Sequence, residues 1–81
     1  MFERMQKAEA FKLAMLQKLL ENEHKKTWEN LNREQLMFFI VQELKELAEA
    51  LEGGTPEEVR RECADVANFA MMIADNFGDL P

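Results

Sequence analysis

Apolar residues recur at intervals of three and four positions through most of the chain, the spacing that places them on one face of an α-helix. Three segments show this pattern, at about residues 2–24, 33–52 and 56–77, and a polar stretch separates the first two. Apolar and polar residues nowhere alternate with a sustained period of two, so no strand is expected. The pattern therefore predicts an all-α fold built from three long helices.

The predicted ends of the helices carry residues that commonly cap helices. Asn32, with Gln35 three residues later, is suited to cap the second helix, and Gly53 and Gly54 are expected to end it with a left-handed turn. Residues 55–58 have the sequence Thr-Pro-Glu-Glu, which is a full capping box with proline at the first helical position. Because the connection between the second and third helices is so short, we expect them to form an antiparallel hairpin.

The length and net charge of the chain indicate a single domain and argue against nucleic-acid-binding and membrane-binding proteins. With 81 residues, the chain is predicted to be a single domain spanning residues 1–81. The net charge is −6 and there is no long basic run, which argues against a nucleic acid polymer or an anionic membrane as partner. No apolar run is long enough to span a bilayer. Cys63 is the only cysteine, so no internal disulfide can form, and we expect a cytoplasmic protein.

The small size also predicts a need for additional stabilisation, because a core of this size contributes only about 3–5 kcal/mol by itself. Without a disulfide, the remaining means are a metal ion or a partner chain. We therefore expect a homodimer or homotetramer in which hairpins from two chains pair into four-helix bundles.

Four acidic residues lie on or beside the apolar faces of the hairpin. At about 100° per residue, Glu43 falls inside the apolar face of the second helix and Glu46 at its edge, whereas Glu52 turns toward solvent. In the third helix Glu62 falls inside the apolar face and Asp65 at its edge. The residues that define these faces are Leu36, Ile40, Leu47 and Leu51 in the second helix, and Val59, Cys63, Val66, Ala70, Ile73 and Phe77 in the third. Packing the two faces together would bring four carboxylates into one place.

Such carboxylates need a positive partner, because charged groups are rarely buried unless they are paired or bind a metal. Lys45 points away from the apolar face. Arg61 is able to reach an edge acid, so a salt-bridged arrangement stays open as an alternative. Oxygen-only ligands favour Mg²⁺ or Mn²⁺. His24 follows Glu21 by three residues, but a di-iron site needs such a Glu-x-x-His pair on two helices, and the chain has no second histidine. With four carboxylate ligands and no histidine on either helix of the hairpin, zinc is disfavoured as well.

The two acidic motifs also carry a family resemblance. Residues 42–50 (QELKELAEA) and, after a short turn, residues 62–68 (ECADVAN) resemble the all-α nucleoside triphosphate pyrophosphohydrolases, the MazG-like superfamily that includes dimeric dUTPases and dCTP pyrophosphatases. The family signature is Glu-x-x-Glu on one helix and Glu-x-x-Asp on the next. Trp28 also fits, because some members place a tryptophan about this far before the first motif. Gln42 departs from the many members that have a second glutamate there.

The resemblance implies an enzyme that hydrolyses a (d)NTP between the α and β phosphates and releases a (d)NMP and pyrophosphate. By position, the metal ligands for Mg²⁺, or alternatively Mn²⁺, would be Glu43, Glu46, Glu62 and Asp65. A family-like catalytic role for Glu46 would be to orient or deprotonate the attacking water.

The resemblance is less specific about which residues bind the base, the ribose and the phosphates of the substrate. Trp28 is expected to stack on the nucleobase or, alternatively, to pack over the end of the bundle. Asn68 either touches phosphate or ribose or is an ordinary surface residue. Larger relatives have basic residues after the second motif, and we expect Lys25, Lys26 or Arg33, or a neighbouring subunit, to supply that charge here. The alternative function is a non-catalytic helical oligomerisation module whose inward acids are salt-bridged.

Overall fold

The computed structural model describes residues 1–22 and 27–81. Helix α1 spans Phe2–Glu21, a 3₁₀ turn spans Trp28–Asn30, helix α2 spans Arg33–Gly53 and helix α3 spans Pro56–Phe77. No strand occurs in these residues, so the prediction of an all-α fold with three long helices is confirmed. No helix in the described ranges is long and apolar enough to cross a membrane.

Both predicted capping boxes are present and fix the starts of α2 and α3. The backbone amide of Gln35 donates to the side chain of Asn32 at 2.8 Å, and that of Asn32 donates to the side chain of Gln35 at 2.9 Å. Thr55 and Glu58 exchange the equivalent hydrogen bonds at the start of α3. At the start of each hairpin helix, backbone amides are thus hydrogen-bonded to side chains only three residues away. Because these bonds are local in sequence, the starts of α2 and α3 could be predicted.

The described part of helix α1 ends at Glu21, where the side chain and the backbone amide of Asn22 both donate to the Lys18 carbonyl and close the last turn. The end predicted near residue 24 lies outside the described residues. The predicted left-handed turn after α2 is wrong. Gly54 has extended backbone angles (φ −87°, ψ 170°), and a glycine is needed there because a Cβ atom would lie 2.8 Å from the carbonyl oxygen of Ala50.

Helix α3 lies between α1 and α2 and packs against both, whereas α1 and α2 have no substantial contact with each other in the described residues. On one side, the ring of Phe69 stacks on Phe39 of α2, with centroids 5.7 Å apart. On the other side, the amide of Asn68 donates to the backbone carbonyl of Met15 in α1 at 3.1 Å. Adjacent α3 residues therefore face different helices, and α3 carries the contacts that position the site.

This arrangement leaves a small core and changes the predicted apolar faces. The buried apolar residues among those described are Leu36, Ala50 and Ala64. Leu51, which was predicted to face inward, is 68 % exposed because α3 approaches α2 over Ala50 instead. Ala70 of α3 is also exposed. Two of the three buried residues are alanines, Ala50 of α2 and Ala64 of α3, whose small side chains allow the helices to approach closely.

Candidate active site

Three carboxylates from the hairpin meet at one point beside α3. Glu43 of α2 and Glu62 and Asp65 of α3 each offer an oxygen atom, and these three atoms lie within 4.8 Å of one another. All three residues are partly buried. The i, i+3 spacing of Glu62 and Asp65 puts both on the same side of α3, and the antiparallel packing of α2 brings Glu43 opposite them. We refer to these three residues as the carboxylate cluster.

Glu46, the fourth acid predicted for the site, lies at the exposed edge of the cluster. Its carboxylate is close enough to raise the pKa of both Glu43 and Glu62. Together with Glu62 it lines an open cleft of about 380 Å³, whose other lining residues are Glu49, Ala50, Gly53, Gly54 and Glu58. The cleft adjoins the cluster at Glu62, and four of its seven lining residues are glutamates. The structure therefore brings three of the predicted acids together and places the fourth beside them on the wall of the cleft.

Burial and mutual repulsion change the proton affinity of the cluster. Burial, followed by the neighbouring acids Glu46, Asp65 and Glu62, raises the pKa of Glu43 to about 8. Burial also raises the pKa of Glu62, with further contributions from Glu46 and Asp65. The pKa of Asp65 is raised by burial as well, although Lys18 opposes the increase. In the absence of another positive charge, the cluster therefore retains a proton near neutral pH.

Unpaired oxygen atoms show that the cluster suits a divalent cation. Glu43 and Glu62 each have one Oε2 atom that is buried and has no hydrogen-bond partner within the described part of the chain. A buried carboxylate oxygen without a partner costs free energy, and a bound cation would remove that cost. The donors are all carboxylate oxygens, which Mg²⁺ and Mn²⁺ accept. The residues present therefore fit a divalent metal ion.

Helix α1 brings a lysine to this site, and the sequence pattern did not predict its presence there. The Lys18 ammonium lies 3.4 Å from Oδ2 of Asp65 and 3.8 Å from Oε1 of Glu21. The lysine side chain is only 16 % exposed. A signal was present in the sequence, because Lys18 follows Met15 by three residues and Ala14 by four, and so lies on the half-buried face of α1.

Arg61 does not pair with the cluster. Its guanidinium donates two hydrogen bonds to the carboxylate of Glu21, at 2.6 and 3.1 Å, and so connects α3 to α1. The salt-bridged alternative therefore accounts for Asp65, through Lys18, but leaves the buried oxygens of Glu43 and Glu62 without partners in the described residues.

Asn68, predicted as a substrate-binding or a surface residue, has a structural contact, and so has Asn76 of the same helix. Asn68 is 4 % exposed and donates to Met15 of α1, so the alternative of an ordinary surface residue is wrong. Burial follows from its position on the side of α3 that α1 covers. Asn76 is partly buried and donates to the carbonyl oxygens of Trp28 and Leu31. Both side chains hold other parts of the chain against α3.

Trp28 packs against the C-terminal part of α3. It is partly buried, and its indole N–H donates to Oδ2 of Asp75 at 2.9 Å. Asp75 lies ten residues beyond Asp65 in the same helix, or about 15 Å along its axis. Of the basic residues expected to bind phosphate, Lys25 and Lys26 lie outside the described residues. Arg33 places its guanidinium 5.1 Å from the ring centre of Phe77, which is also at the far end of α3.

A helical hairpin with carboxylates from both helices in one cluster, beside an open cleft, defines an all-α acidic site whose oxygen ligands suit a divalent cation. The family model for phosphoribosyl-ATP pyrophosphohydrolase matches residues 8–78, and the chain belongs to this family. The predicted relationship to the MazG-like pyrophosphohydrolases is thereby confirmed, as is the class of enzyme, a hydrolase acting on phosphoanhydride bonds. No curated protein and no solved structure matches the chain significantly.

Proposed function

We propose that this protein is a divalent-metal-dependent pyrophosphohydrolase that cleaves the α–β phosphoanhydride bond of a nucleoside triphosphate. The family description makes phosphoribosyl-ATP the first substrate to test, and the (d)NTPs form the wider class. The observation that carries the proposal is the carboxylate cluster itself, with its two buried and unpaired oxygen atoms. The products are the corresponding nucleoside monophosphate and pyrophosphate, with one water molecule consumed.

The cluster residues have distinct roles in this proposal. Glu43, Glu62 and Asp65 hold Mg²⁺ or Mn²⁺ through their carboxylate oxygens. When bound, such a cation neutralises phosphate charge and lowers the pKa of a neighbouring water molecule. Glu46 lines the cleft together with Glu62, and in this proposal its carboxylate adds a further metal contact or orients the attacking water and accepts its proton.

The test is hydrolysis of phosphoribosyl-ATP and a panel of (d)NTPs with Mg²⁺ or Mn²⁺, with pyrophosphate and orthophosphate measured separately. We expect pyrophosphate from the wild type. Glu43→Gln, Glu62→Gln and Asp65→Asn should each reduce its release roughly 100-fold or more, because each removes a charged metal ligand. Glu52→Gln is the matched control, since Glu52 is an exposed acid on the same helix as Glu43. Orthophosphate as the product would refute the proposed bond, and full activity of Glu43→Gln would refute the proposed ligand.

We also infer that the active form is a homodimer or homotetramer. Two apolar faces have no partner within the described chain, one on α1 and one on α2. The exposed residues that form them are Leu13, Leu16 and Leu20 on α1, and Met37, Phe38, Val41 and Leu44 on α2. Burying one such side chain fully is worth about 1.5–3 kcal/mol, and these are about half exposed, so a second copy covering either face would contribute an amount comparable to the small core. Light scattering coupled to size-exclusion chromatography tests this, and a monomer at micromolar concentration would refute it.

A further inference from the structure

The acidic site has a deficit of positive charge that a phosphate-bearing substrate would make worse. The cluster, Glu46 and the acidic cleft are all negative, and a triphosphate chain adds more negative charge. Bound cations offset part of this charge, but phosphate sites also use basic side chains that contact the non-bridging oxygens. A basic side chain close to the cluster is therefore required to contact the phosphate oxygens.

Among the residues that the structure describes, Lys18 has an ammonium group next to the cluster that is not held in a close ion pair. Its ammonium makes one contact at 3.4 Å with Asp65 and one at 3.8 Å with Glu21, both longer than a good charge-assisted hydrogen bond. Arg61 is the other nearby cation, but its guanidinium is held in a bidentate ion pair with Glu21, with hydrogen bonds of 2.6 and 3.1 Å. An ammonium group has three donors, so Lys18 keeps donor capacity for an additional acceptor.

The packing of α1 on α3 holds this lysine in place from both sides. One turn before it, the carbonyl of Met15 accepts the buried amide of Asn68. Three residues after it, Glu21 accepts both hydrogen bonds from Arg61 and also faces the lysine itself. These contacts follow one another along two antiparallel helices, so the position of Lys18 beside Asp65 is fixed by the register between them.

We propose that Lys18 is a phosphate-binding residue of this site, delivered by α1, and that Glu21 and Arg61 are its positioning residues. This inference rests on the proposed function, because it assigns Lys18 to the phosphate chain of the same substrate. In the free protein the ammonium pairs with Asp65. With a cation held by the cluster, Asp65 is shared, and the ammonium donates to a non-bridging oxygen of the phosphate chain while its buried stem stays in place.

A purely structural salt bridge predicts a different set of results, which makes the proposal testable. Isothermal titration calorimetry of Lys18→Met with Mn²⁺ alone should show metal affinity unchanged or about two- to tenfold tighter, because a positive charge next to Asp65 has been removed. Titration of inorganic pyrophosphate in saturating Mn²⁺ should show a loss of affinity of roughly tenfold or more. In turnover, KM for the nucleotide should rise by a similar factor and kcat should change less.

Three further variants distinguish the effect of the charge at residue 18 from general effects of substitution on α1. Lys12→Met is the matched control, because Lys12 lies on the same helix with its side chain 64 % exposed and contacts only Glu9, at 4.0 Å, among the described ion pairs. It should leave both titrations unchanged. Lys18→Arg keeps the charge and should retain most of the pyrophosphate affinity. If the methionine variant does not fold, Lys18→Gln provides the same comparison with a polar end.

The outcomes separate this inference from the proposed function. Unchanged pyrophosphate affinity and KM in folded Lys18→Met would overturn the role of Lys18, even if the enzyme is active. If the wild type binds Mn²⁺ and pyrophosphate but hydrolyses no nucleotide, the proposed function fails, and the comparison of Lys18→Met with the wild type still decides the binding role. If the wild type binds neither, both proposals are wrong.

Discussion

The carboxyl group of Glu43 should make the metal-free protein less stable as the pH rises, and Glu43→Gln should remove that loss. In the folded chain its pKa is raised from 4.5 to about 8, so the folded state holds the proton more tightly than the unfolded chain does. The corresponding stability is fully present below about pH 4.5 and is lost as the pH increases through 8. Glutamine has a similar shape and no charge to bury, so the variant should lack this dependence.

The expected magnitude follows from the change in proton affinity. Since each pKa unit is worth about 1.4 kcal/mol, the upper limit for ionising Glu43 in the folded chain is about 5 kcal/mol. The carboxyl group is only partly buried, and solvent screening reduces this value. We therefore expect Glu43→Gln to match the wild type at pH 5 and to exceed its free energy of unfolding by about 1–2 kcal/mol at pH 9.

The assay is urea denaturation followed by circular dichroism, in EDTA, at pH 5, 7 and 9 and at one protein concentration. Glu52→Gln serves as the control, because Glu52 is exposed and its substitution should shift stability by the same small amount at all three pH values. The order should reverse with saturating Mn²⁺ at pH 8, since the wild type gains binding free energy that the variant lacks. A Glu43→Gln variant that is less stable than the wild type at pH 9 in EDTA would refute the electrostatic argument.

Three other outcomes follow from the same structure. Mn²⁺ affinity measured by calorimetry should increase about tenfold per pH unit from pH 6 to 8, because binding displaces the proton of Glu43; a flat profile would contradict this. Asn68→Ala should lower the free energy of unfolding by about 1–3 kcal/mol in urea denaturation, because it removes the buried amide donor to Met15; a change within error would contradict this role. Leu16→Gln should shift the protein toward monomer in light scattering, because Leu16 is on the exposed apolar face of α1; an unchanged oligomer would exclude that face.

Local features of the sequence were sufficient to predict the helices of the hairpin. The capping boxes at Asn32 and Thr55 involve residues three positions apart, so their hydrogen bonds follow from sequence alone. The meeting of the acidic residues Glu43, Glu62 and Asp65 could also be predicted from the sequence. Two residues three positions apart share a helix face, and a short connection makes α2 and α3 antiparallel neighbours. Helix periodicity and loop length were therefore enough to infer that Glu43 meets Glu62 and Asp65.

The position of α1 on α3 could not be predicted from local features of the sequence. Its contacts with α3 join residues 40 and 53 positions apart, as in the pairs of Arg61 with Glu21 and Asn68 with Met15. Helices α1 and α3 are separated in sequence by the whole of α2, so no tight turn joins them and sets their register. Helix periodicity predicts only which face of α1 packs, not which residues it meets. For this reason the sequence offered Arg61 as an alternative partner for the edge acids and did not indicate Lys18.

The helices, their caps and an acidic hairpin suited to a divalent cation can thus be inferred from the amino-acid sequence, because each depends on residues that are near each other along the chain or joined by a tight turn. Which helix faces are buried, and which basic side chain lies beside the acids, follows only from the packing of the three helices. Placing α3 between two helices buried Asn68, left Leu51 exposed and brought Lys18 to Asp65. These outcomes depend on how whole helices pack, and packing of that kind is determined by the complete set of contacts rather than by any local pattern.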